Sequence, residues 1–306
     1  MKISLPLTLV SCTLSYLASA APASVSRVTV APGGSTLYGI TYNPKNSDGS
    51  CMSQANVNKD IAKFKQNGII NVRTYAQECN QLEQILNAIA SAGGGMTVVA
   101  GVWIDGTDAD YQTEVSTLIK ALSSNSKAKG YVSGVIVGNE VLYNNRMSAS
   151  ALASKINDVK SKVESYGLLV GTAETPSTFD PAIVSSSDFL VANIHPFFGK
   201  VSASGAGENL KAQFNSLKSK LNGKDVIIGE TGWPTAGDAN GQAVPSVQNL
   251  QTYVQQLQCE NAGLKYYVFD GYDSPWKPSG NLNVEQHWGL WGVDGSSKGI
   301  NLKVSC

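Results

Sequence analysis

Two glutamates in this chain each follow a short apolar run, at the point where the run gives way to loop residues. Glu230 closes Asp225-Val226-Ile227-Ile228-Gly229 and is followed at once by Thr231-Gly232-Trp233-Pro234-Thr235. The β-branched residues read as a strand buried on both faces, and the quick succession of Gly, Trp and Pro reads as a loop. Glu140 has the same setting, after Gly134-Val135-Ile136-Val137-Gly138-Asn139. One carboxylate at a strand end is ordinary and can be a solvated acid. Two that face each other across a common mouth could cleave a glycosidic bond. One would be protonated to help the leaving oxygen depart, and the other ionised to attack or support the oxocarbenium-like centre.

For such a pair to meet, both strands must open onto the same end of one sheet. Eight apolar runs alternate with polar or Gly-rich breaks and, mostly, helix-like segments. The strand runs are 37–42, 69–75, 96–103, 134–138, 168–172, 189–194, 225–230 and 264–269. Helical spacing marks Val57, Ile61 and Phe64, then Leu82, Ile85, Leu86 and Ile89, then the stretch from Tyr111 to Leu122. It recurs in Leu152, Ile156, Val159 and Val163 behind a Ser148 N-cap, in Leu210, Phe214, Leu217 and Leu221, and in Val247, Leu250, Val254 and Leu257. A thin helical turn is expected from Pro181 to Ser187. Strict alternation with eight strands predicts an α/β fold, a single (β/α)8 TIM barrel. A doubly wound open sheet would also alternate, but no G-x-G-x-x-G follows any of these strands, which weakens a nucleotide-binding version of it.

Reactive groups of such barrels project from the C-terminal ends of strands. Those ends carry Asn139-Glu140, His195, Glu230, and Asp270 with Asp273. Aromatics expected beside them are Tyr38 or Tyr42, Tyr75, Trp103, Phe198, Trp233 and Tyr272, flat apolar platforms for the C–H faces of sugar rings. Trp276 and Trp288 are read as core instead. Arg73 is left open between touching substrate and supporting the barrel mouth. Asp105, Asp108 and Asp110 read as a solvated loop rather than a cation site. Gly295-Ser296-Ser297-Lys298-Gly299 fits the G-x-S-x-G pattern but follows no buried strand, so it reads as a turn.

The composition narrows the partners. Basic and acidic residues balance at 23 each, leaving no footprint for nucleic acid or an anionic membrane and being compatible with a neutral polymer. Lys2, the apolar run 3–17 and Ala18-Ser19-Ala20 predict a cleaved secretory signal over 1–20. A disordered leader over 21–35 and one catalytic domain over 36–306 follow. Removing the signal leaves Cys51, Cys79, Cys259 and Cys306. Four cysteines in a secreted chain suggest two disulfides with three possible connectivities, and pairing by proximity would give Cys51–Cys79 and Cys259–Cys306. No C-x-x-C occurs and the histidines are His195 and His287, so neither a metal site nor another cofactor is expected. The expected product is a secreted monomer.

The segments Val137-Gly138-Asn139-Glu140-Val141-Leu142-Tyr143 and Ile228-Gly229-Glu230-Thr231-Gly232-Trp233-Pro234-Thr235 resemble the two signature segments of glycoside hydrolase family 17, β-1,3-glucan-active enzymes of plants and fungi. The tail Asp273-Ser274-Pro275-Trp276-Lys277 with Glu285-Gln286-His287-Trp288-Gly289-Leu290 resembles its fungal cell-wall branch, as does the Cys51-to-Cys79 region. The likeness runs from about Leu37 to Cys306. It implies a retaining enzyme on β-glucan poly- or oligosaccharide, with Glu140 as general acid/base, Glu230 as nucleophile and Asn139 on the sugar 2-OH. The carboxyl groups should then lie about 5–5.5 Å apart. His195 stands where many relatives have Tyr; of its two readings, a hydrogen bond that keeps Glu230 ionised is preferred to a packed ring. Ser274 and Pro275 replace acidic residues usual in fungal relatives, so an acid partner for Lys277 is not expected from them. Transfer to a glucan acceptor is favoured over hydrolysis, because an aromatic-rich mouth can hold an acceptor sugar against water. A non-catalytic wall-binding barrel is disfavoured by the presence of both carboxylates.

Overall fold

In a computed structural model, described over residues 36–221 and 223–306, the chain closes eight parallel strands into a barrel in sequence order. The expected signal and leader lie outside the described residues. The strands are β1 Gly39–Thr41, β2 Asn71–Arg73, β3 Thr97–Val102, β4 Val132–Asn139, β5 Val170–Glu174, β6 Phe189–Asn193, β7 Val226–Thr231 and β8 Tyr266–Val268, with β8 pairing back onto β1. The helices are α1 Gln54–Gln66, α2 Gln81–Ser91, α3 Asp108–Ser124, the short α4 Ala128–Tyr131, α5 Ala149–Val163, α6 Pro181–Ser186, α7 Ala206–Lys220 and α8 Val247–Cys259. Ser148 caps α5 as its position predicts, its side chain accepting from the Ala151 N–H. Asp108 and Asp110 correct the loop reading: α3 starts a turn earlier, and Thr107 with Asp110 forms a capping box that satisfies its first N–H groups.

Among the described residues no helix follows β8. The tail from Phe269 folds into loops, with bridges Tyr272 to Trp291 and Trp291 to Ser297. Lys298 Nζ ties it down by donating to Asp273 Oδ1 at 2.6 Å and Thr235 Oγ1 at 2.8 Å. The disulfides are Cys51–Cys79 and Cys259–Cys306, the pairing by proximity; the first joins the β1–α1 and β2–α2 loops, and the second fastens the tail to α8.

Side-chain alternation divides the apolar residues into two groups. Val99, Ile136, Ala173, Phe189, Val191 and Tyr267 form a cluster of their own inside the barrel. Their strand neighbours Val98, Ala100, Val135, Val137, Leu190, Ala192 and Val268 pack outward with the helices. On β7, Ile228 belongs to the outer group. A strict period of two would therefore turn Glu230 outward as well. Instead the pairing steps from Ala192↔Ile228 to Asn193↔Glu230, so β7 has one extra residue, Gly229, at that point. β4 does the same: Ile136↔Gly171 is followed by Asn139↔Ala173. Each bulge reverses the parity of the residue that follows it, aiming Asn139 of β4 and Glu230 of β7 into the barrel mouth. Gly229 fits because a Cβ there would lie 2.2 Å from Val191 Cγ1 and 2.6 Å from Arg73 Nη1.

Candidate active site

Glu230 is 5% exposed and held from two sides. Arg73 Nη1 approaches its Oε1 at 3.3 Å, and His195 Nε2 lies 3.2 Å from its Oε2. Facing a carboxylate, that ring nitrogen must be the protonated one. Burial alone would raise the Glu230 pKa. The hydrogen bond from His195 and the charge of Arg73 outweigh it, and with the nearby Tyr75 hydroxyl they lower the carboxyl to about 2. Glu230 is therefore ionised at any physiological pH.

Glu140 is half-buried at the rim, at φ +53°, one residue past the β4 bulge. Its pKa is raised, first by burial and then by the charge of Glu230; a hydrogen bond from Asn193 Nδ2 to Oε1 at 2.9 Å only partly offsets this. The loop that carries it is pinned by Glu174, a buried carboxylate at the end of β5. Glu174 accepts from the N–H groups of Leu142 at 2.7 Å and Tyr143 at 3.2 Å and from the Thr178 hydroxyl at 2.8 Å.

Arg73 joins the two halves. It is 1% exposed and projects from β2 into the barrel top. Besides Glu230 it donates to Asn193 Oδ1 at 3.1 Å and Asn139 Oδ1 at 2.6 Å, while Asn193 Nδ2 also reaches Asn139 Oδ1 at 3.1 Å. The open choice for Arg73 resolves toward holding the site, since its hydrogen bonds go to Glu230 and to the two asparagines beside it. The Tyr75 ring lies under its guanidinium, 4.7 Å away.

Beyond Glu230, the end of β8 supplies Asp270, 3% exposed, with Oδ1 accepting from Thr41 Oγ1 at 3.0 Å and the Gly271 N–H at 2.6 Å. Burial raises its pKa to about 6 against the pull of Lys277, whose Nζ is 3.7 Å from Oδ2. Lys277 thus finds its acid at the strand end rather than at 274–275. Glu285 shares this side, its pKa raised by burial.

Asn139, Glu140, Glu230, Lys277 and Glu285 line a cleft of about 450 Å³. Its aromatic walls are Tyr75, Trp103, Phe269 and Trp276. Trp276 corrects the core reading: it is part-exposed, with Lys45 Nζ 4.8 Å from its ring, whereas Trp288 is core as expected, 2% exposed. Phe198 is 47% exposed at the rim, 6.0 Å from the His195 ring. Three other expected platforms are corrected. Tyr38 precedes β1, at the opposite end of the barrel, and packs on Tyr266 and Tyr267. Trp233 is fully buried between Phe197 and Tyr253, with its indole N–H on the Val244 carbonyl. Tyr272 gives its hydroxyl to Asp60 and packs on Phe64 and Trp291.

The outer wall is fixed by Glu114 of α3. Its Oε2 accepts the N–H groups of Gln77 and Trp103, each at 2.8 Å, and its Oε1 that of Glu78 at 3.1 Å. One side chain thereby locks the β2–α2 and β3–α3 loops together. Sequence reading misses Glu114, because it sits mid-helix, and Glu174, because the fifth apolar run, 168–172, stops two residues short of it. Among the described residues no cluster of His, Cys, Asp or Glu could hold a metal ion.

Residues 39–289 match the BtgE/BtgC glycoside hydrolase domain. A probable beta-glucosidase btgE of Aspergillus terreus is 37% identical over 263 residues, covering 84% of this chain and 46% of the relative. Its counterpart in Aspergillus flavus is 36% identical over 257 residues, covering 82% and 41%. The chain spans less than half the length of these curated relatives. Among solved structures, the glycoside hydrolase family 17 β-1,3-glucanosyltransferase of Rhizomucor miehei superposes with a TM-score of 0.79 at 31% identity, covering 90% of this chain and 100% of that one. An active-site mutant of the Rhizomucor miehei β-1,3-glucanosyltransferase, in complex with laminaritriose, superposes with a TM-score of 0.79 at 32% identity, over the same shares of each chain. The family match over most of the barrel, on a site with paired strand-end glutamates, shows that this chain belongs to the BtgE/BtgC glycoside hydrolase domain family, within glycoside hydrolase family 17.

Proposed function

We propose that this protein is a secreted, retaining β-1,3-glucan-active glycosidase that transfers a glucosyl group to a glucan acceptor in preference to water. The observation that carries the reading is the split between two carboxyls in one hydrogen-bonded network, Glu140 displaced upward and Glu230 down to about 2. An acid and a nucleophile at one pH need that split. Glu140 donates its proton to the glycosidic oxygen as that bond breaks, and Glu230 attacks the anomeric carbon to form a glucosyl-enzyme ester. Glu140, now ionised, takes the proton of the incoming hydroxyl, which displaces Glu230. Asn139, held by Arg73 and Asn193, meets the sugar 2-OH. The substrate class rests on the glucanosyltransferase relatives, one of them bound to laminaritriose. Two disulfides fit an oxidising, extracellular location.

Hydrolysis is the second reading, favoured by the beta-glucosidase names of the curated relatives. Sizing the products of a short β-1,3-gluco-oligosaccharide over time separates the two. Products longer than the substrate are expected. Shorter ones alone would establish hydrolysis, and no change would remove the enzymatic reading. Proton NMR of the first-formed anomer tests retention, and an inverted product would refute the double displacement.

A further inference from the structure

The end of β5 holds Glu140 from two sides. The Glu140 N–H donates to the Ala173 carbonyl at 2.8 Å, and one residue further on the Glu174 carboxylate takes the N–H groups of Leu142 and Tyr143. We propose that Glu174 is a positioning residue of the proton-transfer step: through the loop 140–146 it sets where the Glu140 carboxyl stands relative to Asn193 and Glu230, and how far water reaches it. The proposal rests on the reading above in which Glu140 is the acid/base of a retaining enzyme.

Glu174 is fully buried, so it cannot touch a glucan and any effect on the reaction runs through the backbone that it binds. Two N–H groups and the Thr178 hydroxyl point at its oxygens, a set of donors that the ionised, acceptor-only carboxylate satisfies. What they hold is a strained place. Glu140 has φ +53°, in the left-handed region that a residue with a side chain keeps only where its surroundings fix it. The loop ties itself into a unit: the Asn144 N–H and Nδ2 both reach the Glu140 carbonyl at 2.9 Å, and the Arg146 N–H reaches that of Val141 at 2.9 Å. Ala173 and Glu174 fasten that unit to the barrel. The Glu140 carboxyl then meets Asn193 Nδ2 and feels the charges of Glu230 from β7, Arg73 from β2 and His195 beyond β6. A proton donor carried on a loop has to be fixed in this way, because a misplacement of about 1 Å can cost on the order of 100-fold in rate.

The leaving group isolates the step. A sugar hydroxyl departs only with a proton from Glu140, whereas dinitrophenolate departs as the anion, and kcat/KM for either ends at formation of the glucosyl-enzyme. Glu140→Ala sets the scale: its loss on a β-1,3-gluco-oligosaccharide should far exceed its loss on the dinitrophenyl glycoside of a β-1,3-linked disaccharide. Glu174→Gln keeps the shape and removes the charge. It should lower kcat/KM on the oligosaccharide roughly 10–100-fold, with a loss on the aryl glycoside roughly ten-fold smaller. The alkaline limb of the oligosaccharide profile, where Glu140 gives up its proton, should move to lower pH, since a looser loop admits water to a carboxyl that burial raises. Thr178→Val removes only the hydroxyl; it should show the same signature at smaller amplitude, and it decides if Glu174→Gln does not fold. Equal losses on the two substrates, no loss on the oligosaccharide, or an alkaline limb that stays in place overturns the positioning role. A Glu140→Ala enzyme that does not discriminate between the leaving groups, or a wild type that turns over neither substrate, overturns the acid/base reading itself and the role of Glu174 with it.

Discussion

Replacing Glu230 by Gln separates what the charge does from what the shape does. In the folded protein this carboxyl is lowered from 4.5 to about 2. At ~1.36 kcal/mol per pH unit this corresponds to about 3 kcal/mol of stability. The folded pKa lies below the unfolded one, so that contribution is fully present above pH 4.5 and disappears as pH falls through 2. The amide cannot titrate. It also sets an NH₂ group against either His195 Nε2–H or the Arg73 guanidinium, which adds a cost that does not vary with pH. The quantity to follow is therefore the pH dependence of the difference between wild type and variant. Thermal scans at matched rate from pH 6 down to pH 2.5 should show the wild-type advantage shrinking by most of that 3 kcal/mol, or about 6–12 °C in Tm at ~2–4 °C per kcal/mol. Turnover should fall by roughly 10³-fold or more throughout. An advantage that stays constant across this range would refute the account of how Arg73 and His195 hold Glu230. Retained turnover would remove it from the mechanism.

Asp270→Asn should show the opposite sign. Asp270 keeps its proton up to about 6 when folded and only to 3.8 otherwise, so wild-type stability falls between those values by about 3 kcal/mol relative to the variant. Thermal scans of both proteins at pH 3.5 and pH 7 check this, and a variant that gains nothing at pH 7 contradicts it. Glu114→Gln leaves one oxygen for three backbone N–H groups and should cost about 1–3 kcal/mol. Because Trp103 loses its mount, KM for oligosaccharides should rise several-fold with kcat within about two-fold; a kcat effect alone would contradict a positioning role. Gly229→Ala puts a methyl 2.2 Å from Val191 Cγ1 and 2.6 Å from Arg73 Nη1. It should cut kcat/KM at least ~100-fold while circular dichroism keeps the barrel signal, and near-normal activity would mean that the bulge does not aim Glu230.

The barrel and its two glutamates were legible because their signals are local. Apolar runs that stop at Asn139-Glu140 and at Glu230-Thr231-Gly232-Trp233 mark strand ends without reference to any partner strand. Aromatic roles were less legible, since a strand's two ends look alike in one dimension. Tyr38 leads into β1 whereas Tyr75 follows β2, so only one of them reaches the mouth. Trp233 stands beside Glu230 in sequence, but its N–H finds the Val244 carbonyl and the ring packs inward. Trp276 errs the other way, read as core and found in the cleft. The bulges could not be read at all. A register step exists only between paired strands, and Gly229 alone reads as a gap in an apolar run.

Those two register steps link the fold to the electrostatics. Asn193 is directly opposite Glu230, and Ala173 opposite Asn139, so the bulges bring the reactive ends of β4 and β7 onto the face already occupied by Arg73 and Asn193. Without them Glu230 would share the outward face of Ile228, among apolar side chains and away from its cation, where burial would raise its pKa. Arg73 is a fixed charge nearer to Glu230 than to Glu140, which it reaches through Asn193. The His195 hydrogen bond and then the Arg73 charge therefore favour one carboxylate, while burial and then the anion so stabilised raise the other. In the proposed mechanism two glutamates in similar strand-end settings take up the roles of acid and nucleophile because the extra residue in β7 sets Glu230, and not Glu140, against His195 and Arg73.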